Sequence, residues 1–260
     1  LSGGTDMSLV VTKQKKDIKN IIFLNSIDEL NYIKEQDKYI EVGAATPLIK
    51  FETIVKKYYP DFNRILKRYG SVQIRNVATL GGNMATASPI GDSLPLLLSL
   101  DASIAIESFD KKMVMPLKDF FIGYRKTKLK KGQFIKSIRI PIFNKNIFKA
   151  YKISKRIEDD ISSVCASFNL AIENKKIKNI KIAYGGMAAT PKRAVHCEKI
   201  LLNSNFSEDI ILKAQKSLEK DFQPIDDMRA SKDYRLEIAK NLLTKCFAEI
   251  KKNQLIRLSY

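Results

Sequence analysis

Cysteine is scarce and histidine nearly absent. The three cysteines, Cys165, Cys197 and Cys246, are odd in number and far apart, and His196 is the only histidine. A disulfide scaffold is therefore excluded, and reduced thiols in the cytoplasm are expected. No CxxC and no Cys/His set with metal-ligand spacing occurs, so no zinc or iron–sulfur site is expected from this chain alone. Long apolar runs are missing too. The longest, Leu94 to Ile106, is broken by Pro95, Ser99, Asp101 and Ser103, short of the ~20 apolar residues a membrane helix needs. There is no low-complexity tract, internal repeat or signal-peptide pattern, and neither GxGxxG nor the Walker A motif appears, which excludes Rossmann and P-loop nucleotide sites. Acidic charge is in deficit: 28 Asp and Glu stand against 46 Lys and Arg, a net +18. Lysine far outnumbers arginine, is spread through every segment, and meets no cluster of aromatics. Base readout leans on arginine and single-strand binding on aromatic platforms, so the excess reads as a solvated surface and no nucleic-acid partner is expected.

What is present is ordinary globular material. The chain has 260 residues, 45% of them apolar, enough for one or two cores. It opens on a loop, Leu1-Ser2-Gly3-Gly4-Thr5-Asp6, with no initiator Met and no strand before it; a missing N-terminal part is expected. Ser26-Ile27-Asp28-Glu29 reads as a capping box, Tyr39 to Val42 as a strand, and Thr46-Pro47 as an N-cap and first helical residue. Leu48, Phe51, Ile54, Val55 and Tyr58 give that helix a buried stripe that ends at Pro60, and a second helix, Ile65 to Tyr69, stops at Gly70. Leu94 to Leu98 reads as a short buried helix, followed by strands at 103–108, 112–116 and 133–140. A boundary falls at 142–149. Beyond it come strands at 149–155, 162–172 and 177–187, the last two joined through Asn174-Lys175, then helices near 193–203, 207–220 and 231–252. The order describes an α+β fold in two domains, 1–145 and 146–260.

Two Gly-rich turns stand out. One is Ser2-Gly3-Gly4-Thr5-Asp6; the other is Thr79-Leu80-Gly81-Gly82-Asn83-Met84-Ala85-Thr86, extended by Ser88-Pro89-Ile90-Gly91-Asp92. Consecutive glycines let the backbone turn its N–H groups inward and approach a ligand closely. Such nests bind anions, and two in one domain suit a pyrophosphate gripped from both sides. Two tight turns without a ligand are the alternative. His196 lies on a predicted helix with no partner motif, which favours a surface position over catalysis.

Gln73 to Asn83 with Ala87 to Asp92 resembles the flavin-binding subunit of the molybdenum hydroxylases, the family of xanthine and carbon monoxide dehydrogenases. Further segments that resemble the family follow in order: Gly3 to Asp6, Phe120 to Thr127, Arg156 to Asp160, Gly185 to Pro191 and Arg229 to Arg235. The resemblance covers essentially the whole chain. It implies a two-subdomain FAD-binding domain of the PCMH type, followed by a three-stranded antiparallel sheet with a helical bundle. It implies FAD in an extended form, its pyrophosphate cradled by Gly3, Gly4, Thr5 and Asp6 with Ser2 and Met7 flanking, and by Thr79, Gly82, Asn83 and Thr86. It places Asp92 near the adenosine ribose, Ile135 near the flavin system and Lys152 near the isoalloxazine. Arg156 to Asp160 form a loop facing the pyridine nucleotide. Read apart from the resemblance, Arg75 and Asn76 are expected to brace the second turn.

The resemblance also implies a division of labour. A molybdopterin-binding large subunit hydroxylates the substrate, a small subunit with two iron–sulfur clusters relays electrons, and FAD on this chain passes them to NAD. No catalytic side chain and no metal ligand is expected here, and no membrane partner. A purine such as xanthine is the expected substrate of the assembly. The family's strand–helix unit before the first Gly-rich turn is absent, as is the Cys-rich insert of the branch acting on a hydroxybenzoyl thioester, which disfavours that branch. The other readings are a self-contained flavin oxidoreductase and a basic nucleic-acid-binding module.

Overall fold

The protein was analysed as a computed structural model that describes residues 1–253; residues 254–260 of the second expected domain lie outside the described residues. The chain leaves the first Gly-rich turn into a short surface helix, α1 (Ser8–Thr12), which buries nothing. The capping box expected at Ser26 does not form. Ile27 leads into a single 3-10 turn, Asp28–Leu30, with no side-chain cap, because the chain turns straight into β1 (Ile33–Glu35). β2 (Tyr39–Gly43) follows and pairs with it in antiparallel register, Ile33 opposite Val42. Thr46 does not cap the next helix. Its hydroxyl donates to the Tyr32 carbonyl at 3.0 Å, and Pro47 itself is the extended residue before α2 (Leu48–Tyr58). The expected stripe holds at Leu48, Phe51 and Val55, all buried. Pro60 ends α2 and, with its fixed φ, opens α3 (Pro60–Lys67), so the second helix starts earlier and ends earlier than its Ile65–Tyr69 reading. Gly70, at φ +66°, then turns the chain.

Three short helices follow: α4 (Val72–Val77), α5 (Leu80–Thr86) and α6 (Ser93–Ser99). Every residue of α6 is buried, as its run of leucines requires. β3 (Ser103–Glu107), β4 (Lys112–Pro116), the hairpin β5 (Phe121–Gly123) and β6 (Lys126–Thr127), and β7 (Phe134–Pro141) complete the first half. Its sheet has the order β1-β2-β7-β3-β4, all pairs antiparallel, with the β5–β6 hairpin separate.

In the second half, β8 (Ile147–Ile153), β9 (Val164–Glu173) and β10 (Lys176–Gly185) form the expected meander. Asn174 and Lys175 both take positive φ, 50° and 60°, the conformation of a two-residue hairpin turn. A two-residue edge strand, β11 (Lys192–Arg193), makes the sheet four-stranded, β11-β10-β9-β8; it is too short for residue alternation to reveal it. Then come α7 (Val195–Leu201), α8 (Glu208–Asp221) and α9 (Lys232–Lys252). One core fills the first half, another lies between the second sheet and its helices.

β9 shows how the halves join. Val164, Ala166, Phe168 and Leu170 enter the second core, while Cys165 belongs to the first. Ser167 and Asn169 bond α6: the Ser99 and Ser167 hydroxyls are 2.6 Å apart, and Asn169 Nδ2 donates to the Ser99 carbonyl at 3.1 Å. Alternate residues of one strand thus serve two faces, and the sheet is buried on both. Burial pushes the thiols of Cys165, Cys197 and Cys246 up in pKa, so all three are inert thiols in the core. His196 sits on α7 with Nδ1 2.8 Å from buried Asp221 Oδ1.

Arg235 bolts α9 to the sheet. It is 2% exposed and its guanidinium donates to the carbonyls of Ser163 and Gly186 and, at 2.6 Å, to Asp227 Oδ1. Burial acts to raise the Asp227 pKa, but the N–H groups of Arg229 and Ala230 and the Arg235 charge outweigh it and hold the carboxyl below its ordinary value. Removing Arg235 leaves the carbonyls of Ser163 and Gly186 without their donor, so Arg235→Met should lower unfolding stability by about 1–3 kcal/mol in urea denaturation. A depressed folded pKa means the Asp227 contribution is full above the ordinary Asp value of about 3.9 and fades as pH falls through the folded value. The wild-type advantage over Asp227→Asn in midpoint should therefore shrink on acidification below about pH 4; an advantage independent of pH would contradict the assignment.

Candidate functional site

The two Gly-rich segments, far apart in sequence, meet at one cavity of about 500 Å³. Their local structures differ. In the first, Gly3 and Gly4 hold φ of +70° and +83°, a region other residues avoid. Gly3 faces away from the cavity: a Cβ there would lie 2.7 Å from the Val77 carbonyl oxygen. Its N–H donates to Asn25 Oδ1 at 2.9 Å and that of Gly4 to the Ser2 carbonyl at 2.8 Å. The N–H groups of Thr5, Asp6 and Met7 make no hydrogen bond within the described residues.

The second segment is a helix start, which corrects its reading as an open nest. Thr79 caps α5, its Oγ1 accepting from the Gly82 N–H at 3.0 Å. The Gly81 N–H donates to the Ala44 carbonyl at 3.0 Å. Gly81 is required by packing, since its Cβ would stand 2.5 Å from that of Ala44. Gly82 marks where the segments cross: a Cβ there would lie 2.9 Å from Thr79 Oγ1 and 3.2 Å from the Ser2 carbonyl oxygen. The Ser2 and Thr79 hydroxyls bond at 2.9 Å across the same junction. Arg75 is buried and donates to the carbonyls of Lys67 and Gly70, which braces the turn leading to α5.

Of the residues singled out in the sequence, Ser2, Gly4, Thr5, Asp6, Met7, Thr79, Gly82, Asn83, Thr86 and Ile135 line the cavity. Gly3 stands behind it. Asp92 and Lys152 do not line it. They bond each other at 2.6 Å, each side chain 2% exposed. Ser162 Oγ donates to the second Asp92 oxygen at 2.5 Å, and Lys152 Nζ also donates to the Arg68 carbonyl at 3.0 Å.

Sequence reasoning passed over several lining residues. Leu24, Leu30, Leu48, Leu129 and Phe134 make the wall apolar; nothing in their immediate sequence separates them from core. Tyr69 bonds Asn83 Nδ2 at 2.6 Å, and burial pushes its phenol up in pKa, with Asp92 and Asp6 adding to the shift. Arg125, at the β5–β6 tip, lines the cavity and pairs with Asp6. It sits inside Phe120 to Thr127, one of the segments that carried the resemblance, and that was its available signal.

The cavity suits a flavin dinucleotide. Its volume falls within the roughly 300–1,000 Å³ of small-molecule sites. An apolar wall can take a ring system, and the free amides and hydroxyls of the first turn can take phosphate oxygens. Among the described residues no cluster of His, Cys, Asp or Glu could hold a metal, and no helix is long and apolar enough to cross a membrane.

Comparisons with known proteins agree. Residues 1–143 match the family described as FAD binding domain in molybdopterin dehydrogenase, and residues 149–250 the CO dehydrogenase flavoprotein C-terminal domain. The glyceraldehyde dehydrogenase medium chain of Sulfolobus acidocaldarius is 30% identical over 256 residues, 96% of this chain and 89% of that protein. Xanthine dehydrogenase of Emericella nidulans is 30% identical over 85% of this chain, but the match spans 17% of its length. Among solved structures, carbon monoxide dehydrogenase from Hydrogenophaga pseudoflava superposes with a TM-score of 0.88 at 24% identity, covering 94% of this chain and 85% of that one. Quinoline 2-oxidoreductase from Pseudomonas putida 86 gives 0.88 at 22% identity, covering 98% and 90%. The chain belongs to the FAD-binding medium-subunit family of the molybdopterin dehydrogenases, the molybdenum hydroxylases of xanthine, carbon monoxide and aldehyde dehydrogenase type.

Proposed function

We propose that this chain is the flavin-carrying part of a molybdenum–iron–sulfur–flavin dehydrogenase, holding FAD between its Gly-rich segments and handing electrons from iron–sulfur clusters on a partner chain to NAD. The observation that carries the reading is the convergence of both segments on one cavity with an apolar wall. Ser2, Gly4, Thr5, Thr79 and Gly82 would hold the phosphate end, and Ile135, Leu30, Leu48 and Phe134 would exclude water from the ring. Bound there, FAD supplies the two-electron redox chemistry. A molybdopterin-binding large subunit and a two-cluster small subunit are the proposed partners, supported by the family match and the medium-chain relative. A purine such as xanthine is the proposed substrate of the assembly, supported by the similarity to xanthine dehydrogenase; similarity to a glyceraldehyde dehydrogenase medium chain supports an aldehyde as the second candidate. Buried unpaired thiols support a cytoplasmic location.

The loop at 154–161 supports the acceptor assignment. Arg68 Nε donates to the Ile157 carbonyl at 2.8 Å, and its other nitrogens to the Lys152 carbonyl and to Ser154 Oγ. Arg68 adjoins Tyr69 of the cavity wall, so one guanidinium ties the loop beside the site. Arg156 points outward, 75% exposed, with Asp160 3.7 Å away. An exposed cation there would attract the nucleotide phosphates.

The complex purified from its native cells through this chain should contain molybdenum, iron and flavin. A monomer oxidising an organic substrate with FAD alone would overturn the proposal. Gly82→Val would force a branched side chain against Thr79 Oγ1 and the Ser2 carbonyl, so it should purify without bound flavin while keeping its circular dichroism. Yellow protein at wild-type stoichiometry would show the cavity assignment to be wrong. Arg156→Glu should raise KM for NAD by about threefold or more, on the scale of one lost exposed charge contact, and leave flavin reduction by substrate unchanged. Stopped-flow traces of the two half-reactions separate these effects, and an unaltered oxidative half-reaction would favour another acceptor.

A further inference from the structure

The cavity carries little charge for a pyrophosphate site in so basic a protein. Among its lining residues the charged side chains are Asp6 and Arg125, and they are paired with each other. Arg125 sits at the tip of the β5–β6 hairpin, which belongs to neither large sheet. The hairpin is rooted by fully buried Phe120, whose carbonyl accepts from the Lys128 N–H at 2.9 Å. Its tip rides free: Tyr124 is 62% exposed. Arg125 itself holds φ of +51°, a left-handed conformation uncommon outside glycine and tolerated at tips.

We propose that Arg125 is the cationic ligand of the FAD pyrophosphate, and that Asp6 holds its guanidinium in place until the cofactor arrives. The inference rests on the flavin reading of the cavity and deepens it. Both partners are about half exposed, 46% and 45%. Exposed pairs of this kind are weak and salt-screened, so exchange for a stronger anion is easy. Asp6 also lies in the turn whose amides at 5, 6 and 7 have no acceptor among the described residues. A diphosphate reaching those amides comes beside Arg125, whose planar donors match two phosphate oxygens. It also comes beside the Asp6 carboxylate, which repels it. Asp6 therefore serves the ligand through its backbone N–H, and its side chain is a placeholder that competes with the ligand.

That competition gives the two residues opposite signs. Flavin-stripped full-length protein, titrated with FAD and followed by flavin fluorescence, tests it. Arg125→Gln should weaken FAD binding by about tenfold or more, the scale of one lost charge-assisted bond. It should also flatten the salt dependence of the affinity. Arg125→Lys should fall between, and Asp6→Asn should bind FAD as tightly as the wild type or tighter. Equal weakening by Arg125→Gln and Asp6→Asn would overturn the proposal and make the pair a clasp for the turn. Wild-type affinity in Arg125→Gln would overturn it as well. A wild-type chain that takes up no FAD would instead overturn the cavity reading beneath it.

Discussion

A single buried ion pair sets how the halves of this molecule meet. Asp92 is the residue before α6, where an aspartate normally accepts from the helix's own first amides. Here it makes no such cap. Its carboxylate goes across the domain junction to Lys152 and Ser162. Removing two charges from water is expensive, and close pairing with extra hydrogen bonds only offsets that expense. What the pair does supply is register. Lys152 also reaches the Arg68 carbonyl, and Arg68 in turn grips the loop at 154–161. From Asp92 outward, the end of α3, the start of α6, the strand β8 and the loop that follows it share one network of bonds. The same network reaches the cavity wall, because Ser93 bonds Asn83 and Asn83 bonds Tyr69.

Around that pair, apolar burial does the bulk of the work. α6 has no exposed face, so it must be covered by both cores. The second sheet covers it on one side, and the side of the sheet away from α6 takes α7, α8 and α9. A sheet buried on both faces carries near-continuous burial, as β9 does from Val164 through Leu170. Its polar residues are the informative ones. Ser167 and Asn169 face the α6 side, where the Ser99 hydroxyl and carbonyl need partners, and unpaired polar groups there would be destabilising. The two halves are thus matched by a few hydrogen bonds set in an apolar contact.

Much of this was legible beforehand. Period-two and helical patterning located β3, β4, β7, the β8–β10 meander and α6 to α9 within a few residues; all but β4, an exposed edge strand, bury a broad face. Proline at 60 and paired turn residues at 174 and 175 marked their breaks through backbone constraints that do not depend on context. The misses were of another kind. Ser26 and Thr46 carry capping chemistry, but tertiary hydrogen bonding or a tight chain reversal took them elsewhere. β11 is too short to show alternation. Gly81 and Gly82 looked like an open nest, and the difference between nest and helix start rests on which acceptors stand nearby, Ala44 for one and Thr79 for the other. Thr79 lies in the same local window as Gly82, but Ala44 lies outside any such window.

The asymmetry between the two Gly-rich segments then says how labour is divided at the site. The second segment satisfies the amides of Gly81 and Gly82 internally and presents hydroxyl, amide and close-approach surface. The first leaves the amides of Thr5, Asp6 and Met7 without acceptors among the described residues and keeps a cation close by. A rigid wall on one side and an unsatisfied turn on the other is an arrangement in which the ligand completes the fold of the turn. Binding energy is then released where the backbone lacks partners, and specificity is set by the wall that already has them. The loop at 154–161 is held by Arg68, which adjoins Tyr69 of the wall. The loop is thus tied in through Arg68 and the hairpin through Arg125 and Asp6, two different elements of the fold.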